Sequence, residues 1–165
     1  MTMNKIIARR IGRNLAIVST LIGIAIVYVF GMMWHWWDAY WILDFEFRNN
    51  VAVAALGGLV AAYFFGQSAG TDILIGKRNE YWTGIMYGLL VLVTGALVGC
   101  SVGFIGHLVN DKGTDVDALP DVNPFFAYYL MPLAWVTGFG ITPVIVVGLW
   151  FGWQIKKQGQ KEMVA

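Results

Sequence analysis

Four stretches of this chain, residues 15–34, 51–65, 84–108 and 125–153, contain no Asp, Glu, Lys or Arg. A bilayer core of about 30 Å is crossed by about 20 mostly apolar residues in helical form, a length that the first, third and fourth stretches meet directly. The second reaches the headgroups when it continues through Gly66, Gln67, Ser68 and Ala69. The expectation is an all-α protein: one polytopic integral membrane domain over residues 1–165, built as a four-helix bundle with spans near 15–34, 51–69, 84–108 and 125–153. Composition supports this independently. The chain is 58% hydrophobic and 13% charged, about half the charge of an ordinary soluble domain. A soluble protein of 165 residues could not hide that much apolar surface.

Charge in the connecting segments predicts the orientation, because Lys and Arg are retained in the cytoplasm during insertion while acidic residues cross with little hindrance. Lys5, Arg9, Arg10 and Arg13 precede the first span, Lys77 and Arg78 separate the second from the third, and Lys156, Lys157 and Lys161 follow the fourth. The other two connections carry only Arg48 and Lys112, against Asp38, Asp44, Glu46, Asp111, Asp115, Asp117 and Asp121. Both termini are therefore expected in the cytoplasm of a bacterial-type inner membrane. The net charge of +1 gives no footprint for nucleic acid, and the basic face is matched instead to anionic lipid headgroups. The basic N-terminus followed by an apolar run resembles the start of a secretory signal. The run is too long for one, however, and no small-residue cleavage site follows it, so it is expected to stay as a membrane helix.

Aromatic residues mark the water boundaries. Trp34, Trp36, Trp37, Tyr40 and Trp41 gather at the outer end of the first span, and Tyr81, Trp82, Trp150 and Trp153 at the inner boundary. An indole has an apolar body and one hydrogen-bond donor, which suits the headgroup region. Residues 36–48 have the spacing of a short helix lying flat in the interface. The Asp-rich connection that follows the third span is expected to be a solvated turn, closed by Asn123 as helix cap with Pro124 at the first helical position.

Lipid tails are as apolar as leucine, so helices in a bilayer associate where small residues at four-residue spacing let backbones approach. Gly95, Gly99 and Gly103 form such a stripe in the third span. Weaker versions are Gly23 and Gly31 in the first span, with Ser19, and Gly58 in the second, between Ala54 and Ala62. The pattern does not distinguish a partner within this chain from another subunit or a second copy. Continuing the stripes leads from Gly103 to His107 and from Gly31 to His35. Asp111 and Asp38 each stand one helical turn beyond. Structural polar contacts are the expectation for both histidines, with no cofactor. A haem or a metal held by His35, His107, Asp38 and Asp111 is the alternative that the coincidence keeps open.

The fourth span would be about 43 Å long as a continuous helix and contains Pro132, Gly138, Gly140 and Pro143. Proline removes a backbone donor and presses on the preceding turn, so kinks are expected near Leu130 and Ile141, with a hinge or partly unwound stretch at 135–142 between them. Irregular backbone at membrane depth lines a cavity or a protein contact. Against transport, the span interiors offer no ionisable relay. The sequence also lacks a catalytic triad with a nucleophile elbow, a phosphate-cradling glycine loop and a His-Glu-x-x-His helix. The single cysteine, Cys100, excludes an internal disulfide and the cysteine pairs that a disulfide-forming membrane oxidoreductase would need.

These features predict a non-catalytic membrane subunit that packs through glycine-rich helix faces in a larger complex or oligomer. An oligomeric channel or transporter centred on the fourth span is the first alternative, and a haem- or metal-binding subunit the second.

Overall fold

The computed structural model describes residues 3–34, 45–110, 123 and 125–162. They form four helices: α1 (Met3–Trp34), α2 (Phe45–Leu74), α3 (Glu80–Asn110) and α4 (Met131–Glu162). A π-helical turn at Phe126–Leu130 leads into α4. No strand occurs among the described residues, and all four helices are long and apolar enough to cross a membrane.

The helices overrun the apolar spans at their polar ends. α1 begins at Met3, because Lys and Arg are good helix formers whose stems lie along apolar surface while their charges stay in water. α2 begins at Phe45, so residues 45–48 are its first turn and not part of a separate interfacial helix. Residues 36–44 lie outside the described residues.

Local chemistry accounts for the helix ends. At the end of α2 the Ile75 and Gly76 N–H groups both donate to the Thr71 carbonyl at 3.0 Å, and Arg78 N–H donates to the Asp72 carbonyl at 3.1 Å. Lys77 takes a left-handed φ of 52° to complete the turn. Asn79 then starts α3: its Oδ1 accepts the N–H groups of Tyr81 at 3.0 Å and Trp82 at 3.1 Å, satisfying donors that a helix N-terminus leaves without partners. Asn123 performs the same task where expected, its Oδ1 accepting the Phe125 N–H at 2.9 Å. Pro124 lies outside the described residues.

The irregularity of the fourth span falls in one place. In the π turn, Met131 N–H bonds to the Phe126 carbonyl, five residues back. Pro132 follows immediately, with no N–H to offer and a ring that would crowd the carbonyl four residues earlier. Widening the turn just before it relieves both problems. The partly unwound stretch expected at 135–142 is instead continuous α-helix, and it runs on through Pro143 to Glu162.

α1 packs against α2 and α4, α3 packs against the same two, and α2 touches α4 more weakly. Sequential helices are antiparallel. An Arg10–Glu162 ion pair of 2.9 Å joins the first turns of α1 to the last turn of α4, so both ends of the described chain lie at the same end of the molecule. Lys156 and Glu80 pair there at 2.7 Å. Asp72 is held there by Arg78 at 3.2 Å and by the Tyr87 hydroxyl, which donates at 3.2 Å. The principal core lies against this basic end, built from Ile11, Leu15 and Ala16 of α1, Ala62, Ala69 and Ile73 of α2, and Phe151 and Ile155 of α4.

Candidate functional site

The closest helix contacts are made by glycines at the basic end. A Cβ placed on Gly12 would overlap the Gly66 carbonyl and lie 2.8 Å from the Gly70 Cα, and one on Gly70 would overlap the Ala8 carbonyl. The hydrogen that stands in place of that Cβ points at the carbonyl oxygen, the geometry of a Cα–H···O contact. α3 and α4 meet in the same manner. A Cβ on Gly84 would overlap the Gly148 carbonyl, and one on Gly152 the Glu80 carbonyl. Only a residue without a side chain permits these approaches, because the opposing atoms are backbone and cannot rotate away.

The third-span stripe faces α2. A Cβ on Gly95 would lie 3.0 Å from the Ala54 carbonyl and 3.3 Å from the Gly58 Cα, one on Gly99 would lie 2.6 Å from the Ala54 Cβ, and one on Gly103 would lie 2.7 Å from the Asn50 amide nitrogen. Gly58 itself is looser, with its nearest contact the Thr20 methyl at 3.9 Å. Gly140 is buried against the Leu92 side chain. Gly23 and Gly138 meet nothing within 4 Å among the described residues. Gly31 belongs to the last turn of α1.

The contacts that the sequence analysis missed are Gly12, Gly66, Gly70, Gly84, Gly148 and Gly152. Their signal was present, since 66/70 and 148/152 both have the four-residue spacing. Gly12, however, precedes the charge-free run, among Arg9, Arg10 and Arg13, where the charges mark a water boundary and not a packing face.

Toward the opposite end the packing becomes one-sided. α2 and α3 remain in contact along Gly95, Gly99 and Gly103, and Ala96 and Cys100 of α3 are buried. α1 from Leu21 to Met33 contributes no buried side chain among those described, and neither does α4 before Gly140. An open apolar groove of about 850 Å³ runs there along the π turn and α4, lined by Phe126, Leu130, Trp135, Gly138 and Phe139 together with Val93 of α3. Trp135 and Phe139 stack at 5.1 Å, and the Thr137 hydroxyl is turned inward onto the Leu133 carbonyl at 2.7 Å. The groove therefore presents carbon to whatever covers it.

Of the candidate cofactor ligands, His107 belongs to α3, while His35, Asp38 and Asp111 lie outside the described residues. Among the described residues no group of three or more His, Cys, Asp or Glu side chains gathers where it could hold a metal.

Four antiparallel apolar helices, each long enough to cross a bilayer, define a helical protein of the multi-pass membrane type. No family model, curated protein or solved structure matches the chain.

Proposed function

We propose that the protein is a non-catalytic subunit of a bacterial-type inner membrane assembly: a four-helix bundle with both termini cytoplasmic, whose outer half docks against another membrane subunit or a second copy. The observation that carries this reading is the contrast between the two halves. Glycines at the basic end are used within the chain, in backbone contacts that admit no side chain. Gly23 and Gly138, in the outer halves of α1 and α4, meet nothing among the described residues. Glycine lowers helix stability by about 0.5–1 kcal/mol relative to alanine and gives lipid little to pack against. A close-packing partner on those faces supplies the compensation.

The test is photo-crosslinking in cells from positions 27 and 139, beside Gly23 and Gly138, with position 155 in the core as control. A discrete crosslinked protein band from 27 or 139 and none from 155 is expected. A monodisperse monomer in mild detergent, with crosslinks to lipid alone, would refute the reading.

A further inference from the structure

α4 changes character at Pro143. On the side toward Glu162 it is fixed by backbone: Gly148 and Gly152 meet α3 with no side chain between, Val144 seats on Gly88 of α3, and Phe151 and Ile155 are buried. On the other side, residues 131–142 bury only Gly140 among the described residues. What meets Gly140 is the Leu92 side chain, whose methyls a Cβ would approach to 2.7 Å. Farther out, the chain around the π turn joins α3 through rings, with Phe104 standing edge-on to Phe125 at 5.6 Å and to Tyr129 at 6.2 Å. We propose that α4 bends at Pro143, so that residues 131–142 swing as one arm against α3 and set the width of the groove, while residues 144–162 stay in place.

Pro143 has no N–H for the Phe139 carbonyl, four residues back, so the turn that joins the arm to the rest of the helix lacks a hydrogen bond. Gly138 and Gly140 stand in or beside that turn, where a glycine restrains the backbone least. Within the arm, the Thr137 hydroxyl donates to the Leu133 carbonyl at 2.7 Å and lies 3.2 Å from the Ala134 carbonyl, a back-bond that itself favours curvature. The helix is continuous through the proline, so the motion is a change of kink and not an unwinding. At about 1.5 Å of rise per residue, position 131 stands about 18 Å from the pivot, and a change of about 20° in the kink carries it about 6 Å.

The contacts that oppose this swing are made by side chains. Leu92 can change rotamer and edge-on rings can slide past one another, whereas the backbone contacts of Gly148 and Gly152 have nothing to rotate. The two halves of one helix therefore differ in freedom. The bend belongs to the chain itself and does not depend on the docking proposed above.

Double electron–electron resonance on the isolated full chain in detergent, in a Cys100→Ala background, tests the assignment. Spin labels at exposed positions 131 and 56 report the arm against α2, and labels at exposed positions 146 and 60 report the same two helices beyond the pivot. The 131–56 distance distribution is expected to be wider than the 146–60 distribution by about 6 Å. Pro143→Ala, which restores the missing N–H, should narrow the outer distribution to the width of the inner one and leave the inner one unchanged. Phe104→Ala, which removes the ring contact at the far end of the arm, should broaden the outer distribution alone. Equal widths in the wild-type chain, or an outer distribution unmoved by Pro143→Ala, would overturn the proposal. Should Pro143→Ala fail to fold, an outer distribution unmoved by Phe104→Ala would overturn it as well.

Discussion

Replacing Gly152 with alanine is expected to weaken the fold, whereas the same replacement at Gly138, in the same helix, should strengthen it. At Gly152 the new methyl would overlap the Glu80 carbonyl oxygen and stand 2.7 Å from its carbon, well inside ordinary contact. Both atoms are backbone at the start of α3, so relief requires α3 and α4 to separate. That movement would also disturb Gly148, whose position is fixed by the Ile85 Cα, and the packing of buried Phe151 and Ile155. Overpacking of this kind costs about 1–3 kcal/mol, and the gain in helix propensity returns about 0.5–1 kcal/mol. A net loss of about 1–2 kcal/mol follows. At Gly138 the methyl meets nothing within 4 Å among the described residues, so only the gain of about 0.5–1 kcal/mol remains. Titration with SDS in mixed micelles, followed by tryptophan fluorescence and far-ultraviolet circular dichroism, should separate the two variants by the overpacking cost of about 1–3 kcal/mol, roughly five- to 150-fold in the unfolding equilibrium. A Gly152→Ala protein as stable as Gly138→Ala would refute the close approach of α3 and α4.

Among the described residues the buried Ser19 hydroxyl has no hydrogen-bond partner, a condition that costs about 1–3 kcal/mol, so Ser19→Ala should raise stability by about 1 kcal/mol in the same titration. Lys77 holds a left-handed φ of 52°, and Lys77→Gly should stabilise the α2–α3 turn by about 0.5–1 kcal/mol, read as a rise in the unfolding midpoint. The Lys156–Glu80 pair has side chains 48% and 15% exposed, so a double-mutant cycle through Lys156→Gln and Glu80→Gln should give a coupling below about 1 kcal/mol that falls as salt is raised.

The helices were legible because hydrocarbon imposes a length and a composition that few other structures share, and four charge-free runs satisfy both. Asn123 was legible as a cap because it needs only its own neighbours. The glycine stripe 95–99–103 was visible from spacing, but spacing does not reveal a partner, and the structure supplies α2. Gly23 shows the other side of the same limit: it has a place in a similar pattern and touches nothing described. The extension of α1 through Lys5 to Arg13 was hidden, because hydropathy reads those residues as a boundary while helix propensity carries the backbone straight through them. Pro132 announced an irregularity but not its form. Its ring and its missing donor both act on the turn before it, and it is that turn which widens. The histidine pair rested on positions 35, 38 and 111, which lie outside the described residues.

The account depends on four crossings that return both ends of the chain to the basic side. Single-cysteine variants at positions 77, 115 and 161, in a Cys100→Ala background, can be treated in intact cells with a membrane-impermeant maleimide. Position 115 should react at once, and positions 77 and 161 only after the membrane is opened. Equal labelling of 115 and 161 in intact cells would contradict the account.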